Sequence, residues 1–177
     1  MSNICVFCSA SDRVSDKWKE DAFNIGRLIA SSGHHLVTGC SINGLMGKVA
    51  EGFDLEKEEG QKHIGVYPTS LSHIEKPYPA DEIIELPSLD ERQHKLVELG
   101  DEFWVLAGGV GTMYELFEVL TKTAVGEIDP KRIRIYNIDG FYDQLMDQLV
   151  TMVGEETLSS STVNRIEEAN SWMWHPL

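Results

Sequence analysis

Phe103-Trp-Val-Leu106 runs directly into Ala107-Gly-Gly-Val-Gly-Thr112, and the residues that follow, through about Thr123, carry apolar side chains at helical spacing. A short apolar run, a glycine turn and a helical pattern form the strand–turn–helix unit of α/β proteins. The same unit recurs outward from this one. Ile4–Cys8 reads as a strand, followed by a helix from Ser15 to Ser32 that ends at Gly33. His35–Gly39 reads as a strand before a helix over about 44–59, and Ile64–Tyr67 as another before a proline-bearing loop, Pro68 to Pro79. Glu82–Leu86 is a short strand, and Ser88 to Glu91 forms a capping box for the next helix. Beyond the glycine turn, Arg132–Tyr136 alternates as a strand, Phe141–Val153 is helical, 154–161 reads as a loop and Thr162–Trp174 as a final helix that packs on the domain or on a partner. Such alternation predicts one α/β domain over 1–177, a doubly wound, mostly parallel sheet with helices on both faces. Ligands of such sheets bind at the carboxyl ends of the strands, where the strand order reverses.

The 177 residues carry 15 Lys+Arg against 29 Asp+Glu, a formal net charge of −14. That balance argues against nucleic acid as a partner, because phosphate backbones are gripped by clustered basic side chains. It leaves room for one small anion, held by the free N–H groups at a helix start and a single Arg. No apolar run approaches the ~18 residues of a membrane helix, and the N-terminal stretch lacks a basic region followed by a long apolar one. The expectation is therefore a cytoplasmic protein with no membrane contact. Three cysteines, Cys5, Cys8 and Cys40, fit a reducing compartment. Cys5 and Cys8 have the spacing of half a zinc site, but no second ligand pair follows and Ile4–Phe7 reads as a buried strand, so no metal is expected.

Three turns that follow apolar strands hold the candidate chemistry: Cys8–Ser11, Gly39–Gly44 and Gly108–Thr112. The last is the best phosphate cradle, since glycine lets backbone approach a ligand and the next helix points its positive end at the turn. It is neither the dinucleotide fingerprint nor a Walker loop. Taken alone, it is also compatible with a tight turn that binds nothing. Glu115 either faces a ligand's ribose beside the cradle or closes a capping box, Thr112 to Glu115, at the helix start. Arg92 either grips a phosphate with its two-pronged guanidinium or is a solvated residue paired with a neighbouring Glu. The six histidines show no metal-ligand spacing, and no G-x-S-x-G nucleophile elbow is present.

Several segments together resemble the Lonely Guy (LOG) family, long mislabelled as possible lysine decarboxylases. Leu106–Glu115 is similar to the family's P-G-G-x-G-T-x-x-E motif. Gly44-Leu-Met-Gly47, Ile64–Pro68, Leu89–Gln93 and Asn137–Asp143 fall in family order and spacing. The resemblance covers roughly residues 3–153. It implies a Rossmann-like homodimer that hydrolyses the base–ribose bond of a nucleoside 5′-monophosphate, purine or cytokinin, without a cofactor. It assigns the catalytic positions to Arg92 and Glu115. Gly108, Gly109, Gly111 and Thr112 fall to the phosphate loop, with Ser9, Gly39 and Gly44 in the other substrate-facing turns.

The chemistry suits that assignment. Cleaving an N-glycosidic bond develops positive charge on the ribose, and a carboxylate at Glu115 stabilises that cation, fixes the hydroxyls or orients water. Decarboxylation through pyridoxal phosphate needs a Schiff-base lysine, and none stands near these turns. The sequence also departs from the family pattern. Ala107 replaces the motif proline, Gln93 the usual lysine, Cys40 and Ser41 two glycines, and Ser9 the glycine of the first turn. The altered turns motivate a second reading, a nucleotide sensor or carrier that does not cleave. A third, an assembly protein with a vestigial pocket, is allowed by the late apolar helix and the tail tryptophans.

Overall fold

The first strand, Asn3–Phe7 (β1), is buried from Ile4 onward. Ile4, Val6 and Cys8 enter one hydrophobic core while Cys5 and Phe7 enter another, as period-two side chains must on a strand covered on both faces. Cys5 and Cys8 therefore lie on opposite faces of the sheet and do not converge on a common ligand.

The computed structural model describes residues 1–172. After β1 come α1 (Asp16–Ser31), β2 (His35–Thr38), α2 (Gly44–Glu56), β3 (His63–Pro68), β4 (Glu82–Leu86) and α3 (Leu89–Leu99). Then follow β5 (Glu102–Val105), α4 (Val110–Ala124), β6 (Arg132–Tyr136), α5 (Asp143–Gly154), α6 (Ser160–Val163) and β7 (Ile166–Ala169). The strands form one seven-stranded sheet in the order β4-β3-β2-β1-β5-β6-β7, parallel at every pairing. The α/β reading holds, and "mostly parallel" becomes entirely parallel. The chain winds outward from β1 to β4, then returns to lay β5 against the other side of β1. The switch point thus lies between the ends of β1 and β5, where a parallel α/β sheet opens its ligand crevice.

α1 and α2 supply Ala22, Ile25, Ile29, Leu45, Val49 and Phe53 to one core; α3, α4 and α5 supply Leu96, Leu116, Val119 and Leu149 to the other. Phe7 and Phe103 stack across the switch point with ring centroids 5.3 Å apart. The expected Ser88 cap is present, the Glu91 N–H donating to Ser88 Oγ at 3.2 Å, and it starts α3 at Leu89. α1 also ends as read, its C-cap at Ser32 followed by Gly33 at φ 78°.

Two expectations change. Residues 162–174 do not form one helix: α6 covers Ser160–Val163, and Ile166–Ala169 becomes β7, paired with Ile133–Tyr136 of β6. The outer edge of β6 offers free backbone donors and acceptors, and satisfying them outweighs a weak helical pattern. Met173 and Trp174, also expected in that helix, lie outside the described residues, while Trp172 packs against the α1/α2 core. The loop expected from Pro68 to Pro79 is an arch that opens with a 3-10 turn, Thr69–Leu71. Backbone bonds tie it down, the Tyr78 N–H donating to Cys40 O at 2.7 Å beside a Ser41–Pro77 bridge. This arch covers the carboxyl ends of β2 and β3.

Candidate active site

Where β1 and β5 end, the Ser9 N–H donates to Ala107 O at 3.1 Å, clasping the two turns together. Ser9 O in turn accepts from the N–H groups of Leu45 and Met46, at 2.9 and 3.3 Å, which fixes the start of α2. Ser9, which stands where the family pattern has glycine, lines the cavity described next. Its Oγ folds back to accept from the Ser11 N–H at 3.1 Å.

A cavity of about 330 Å³ opens above this switch point. One wall is the start of α4. Gly109 is the N-cap, with no side chain to satisfy the first turn, and the first backbone bond of that turn runs from Met113 N–H to Gly109 O at 3.0 Å. The N–H groups of the residues before Met113 therefore have no partner within the helix. A Cβ added at Gly109 or Gly111 would meet nothing within 4 Å. These glycines keep a cradle open rather than relieve crowding within the protein, which is the geometry of an anion site at a helix start. Gly108 behaves differently: its Cβ would overlap Thr112 Oγ1 and lie 2.5 Å from Thr112 Cβ, so it makes room for that buried threonine rather than for a ligand.

Arg92 and Glu115 both line the cavity and meet in its wall. Arg92 Nη1 donates to Glu115 Oε1 at 2.6 Å, with the two side chains only 11% and 5% exposed. This excludes the solvated reading of Arg92. It also excludes the capping-box reading of Glu115, because α4 is capped at Gly109 and Thr112 already lies inside the helix. Arg92 reaches this point because the Ser88 cap sets the pitch of α3 and because Gly39 leaves it room. A Cβ at Gly39 would overlap Arg92 Nη2 and stand 2.6 Å from its Cζ. Gly39 is thus a seat for Arg92 as well as a wall of the cavity. Burial raises the Glu115 carboxyl above its ordinary value against the opposing pull of the Arg92 charge. Arg92 Nε is buried without a hydrogen-bond partner among the described residues.

Gly44 does not line the cavity. It sits at φ 61°, its N–H donates to Asp12 Oδ1 at 2.8 Å, and a Cβ there would strike the backbone of Ala10 and Ser11. Its place is in holding the first two turns against each other. The far wall holds residues that sequence reasoning did not select: Met46, Pro68, Leu71 and Glu75. Glu75 lies in the proline-bearing arch, and only the fold brings that arch over the site. No spacing signal in the sequence marks it.

A family model described as possible lysine decarboxylase matches residues 46–172. The cytokinin riboside 5′-monophosphate phosphoribohydrolase LOG2 of Arabidopsis thaliana is 32% identical over 165 residues, 92% of this chain and 75% of that protein. The chain belongs to the LOG family. The cytokinin riboside 5′-monophosphate phosphoribohydrolase LOG of Oryza sativa subsp. japonica is 33% identical over 154 residues. The match takes in 86% of this LOG-family chain and 62% of the rice protein's length. The same fold occurs in the molybdenum cofactor binding protein of Rippkaea orientalis, with a TM-score of 0.72 at 21% identity over 97% of this chain and 90% of that one. It occurs again in the Moco carrier protein of Chlamydomonas reinhardtii, with a TM-score of 0.69 at 17% identity and the same coverage.

Proposed function

We propose that this chain hydrolyses the N-glycosidic bond of a nucleoside 5′-monophosphate, a cytokinin riboside monophosphate or a related purine nucleotide, to free base and ribose 5-phosphate. The observation that carries the reading is the buried Arg92–Glu115 pair beside an open helix start whose N-cap, Gly109, has no side chain. The phosphate sits on the free N–H groups of Gly109–Thr112, with the Thr112 hydroxyl beside it. Held there, the phosphate contributes binding energy that fixes the sugar over the pair without itself reacting. The C1′–N bond breaks with its electron pair going to the base. Water oxygen bonds to C1′, and the proton it releases balances the charge on the departing base. The Glu115 carboxylate faces the positive charge that develops on the ribose, and desolvation strengthens that interaction. Arg92 fixes the carboxylate and turns its remaining donors toward the substrate. The relatives named as phosphoribohydrolases support this reading.

The working form is a homodimer built on α4, whose Val110, Tyr114 and Phe117, with Val125 at its C-cap, leave apolar surface exposed on one side. Three buried free thiols suit a cytoplasmic setting. Among the described residues no helix is long and apolar enough to cross a membrane.

The test is a product assay on purine and pyrimidine monophosphates and N6-substituted AMPs, following free base and ribose 5-phosphate. The reading requires release of base that both Arg92→Ala and Glu115→Ala abolish. Tight binding with no release by the unaltered chain would instead support a nucleotide carrier, the reading motivated by Cys40 at φ 64° and Ser41 in the second turn.

A further inference from the structure

The far end of the cavity holds a carboxylate that the reaction as described does not use. Glu75 is anchored twice. Its backbone O accepts from the Tyr67 hydroxyl at 2.9 Å, and its side-chain Oε2 accepts from Ser41 Oγ at 2.9 Å. Ser41 is itself fixed: it is 2% exposed, its N–H points at Met46 Sδ at 3.2 Å, and its Oγ accepts from the Asn43 N–H at 3.2 Å. The residue before it, Cys40, is held in the left-handed region at φ 64°. Glu75 and Ser41 both line the cavity. A carboxylate fixed at both its backbone and one oxygen has lost its freedom before any ligand arrives, which is the condition for discriminating between ligands. The second oxygen, Oε1, has no such tether among the described residues.

The sheet order gives the direction of approach. The phosphate cradle follows β5, and Glu75 lies in the arch that follows β3. Between them stand β1 and β2 in the order β3-β2-β1-β5. Three strand spacings separate the two ends of the site by roughly 14 Å, comparable with the reach from phosphate to base in a nucleoside monophosphate. The Arg92–Glu115 pair, seated on Gly39 at the end of β2, falls between them, where the sugar would lie. Met46, Pro68 and Leu71 supply apolar surface around Glu75, suited to the faces of a ring.

We propose that the Ser41–Glu75 pair reads the base, Glu75 accepting an N–H from the exocyclic amino group of a 6-aminopurine and rejecting 6-oxopurines. The inference rests on the nucleotide reading of the site. As a carboxylate Glu75 only accepts hydrogen bonds. An amino group at position 6, or a substituted one that keeps an N–H, meets it as a donor. A 6-oxo group in the same place would face it acceptor to acceptor, and the neighbouring N1–H would reach the carboxylate only if the ring left the seat set by the cradled phosphate and sugar. Ser41 stands where the LOG pattern has glycine, so the device belongs to this chain's own departure from that pattern.

The experiment is calorimetric binding of AMP, IMP and ribose 5-phosphate to the full chain, unaltered and as Glu75→Gln. The expected result is a preference for AMP over IMP of about tenfold or more, lost or inverted in Glu75→Gln. The Gln amide still accepts from Ser41 through its oxygen, so a mere latch for the arch would leave the preference unchanged. Its NH2 then faces the base as a donor and favours the 6-oxo group. Ribose 5-phosphate, which lacks a base, reports the rest of the site. If the unaltered chain binds none of the three, the nucleotide reading fails and this inference with it. If ribose 5-phosphate and nucleotides bind but AMP holds no advantage, or holds the same advantage in Glu75→Gln, the Glu75 assignment alone is overturned.

Discussion

A methyl group at Gly39 would occupy the space of the Arg92 guanidinium. The obstructed atoms are the end of a flexible side chain, so Gly39→Ala is expected to displace Arg92 rather than the backbone. On the proposed hydrolysis, the predicted outcome is a loss of base release of about a hundredfold, the scale for a catalytic group moved by an ångström. The melting temperature should fall by only a few degrees. A large stability loss measured by thermal unfolding would contradict this. Arg92 and Glu115 were legible in the sequence because a family motif spans them; their meeting was not. Charged residues on two helices, far apart in the chain, carry no local signal of pairing, and each had a solvated or capping alternative until the fold removed it. Glu75 was less legible still, because it belongs to a loop whose path is set by backbone bonds to Cys40 and Tyr67.

The turn between β2 and α2 depends on a buried imidazole in the adjacent strand. His63 of β3 is fully buried, and its Nε2 lies 2.8 Å from Thr38 Oγ1, which in turn accepts from the Cys40 N–H at 3.1 Å. Burial lowers the His63 pKa to about 4, with Asp54 and Asp81 pulling it up and Lys57 pushing it further down. The folded value lies below the unfolded one, so the unfolded chain takes up the proton first. Stability is full above pH ~6.5 and is lost as the pH falls from there toward 4. A shift of this size corresponds to about 3 kcal/mol at the acid end. Urea unfolding measured across pH 4–7.5 should show this acid limb, and His63→Gln, which keeps a hydrogen bond for Thr38, should flatten it. Equal slopes in both proteins would refute the assignment. At this scale the sequence was readable where local chemistry decides, as at the Ser88 cap. It misled where pairing decides: nothing in Ile166–Ala169 announces a strand until the open edge of β6 is beside it. Ser88→Ala should accordingly cost about 1 kcal/mol in the same unfolding assay, together with some base release, since that cap aims Arg92.

Each copy of the chain carries a formal charge of −14, so two copies repel unless apolar surface brings them together. The outer side of α4 supplies such surface. Val110, Tyr114 and Phe117 of α4 and Val125 at its C-cap follow one another at intervals of four, three and eight residues on one side of the helix, and they are 90%, 49%, 36% and 65% exposed. These side chains, with Thr121 between Phe117 and Val125, are the surface on which the proposed dimer would close. Two copies related by a two-fold axis would bury the same stripe against itself, the self-complementary contact of most homodimers. Charge opposes that association and salt screens the opposition. Light scattering is therefore expected to give the dimer mass, with the dissociation constant falling as salt rises from low to physiological strength. Phe117→Glu places a carboxylate in the stripe of both copies, so it should yield monomers at every salt concentration while leaving the melting of a single copy nearly unchanged. A monomer mass for the unaltered chain in high salt would show that α4 faces water or a different partner.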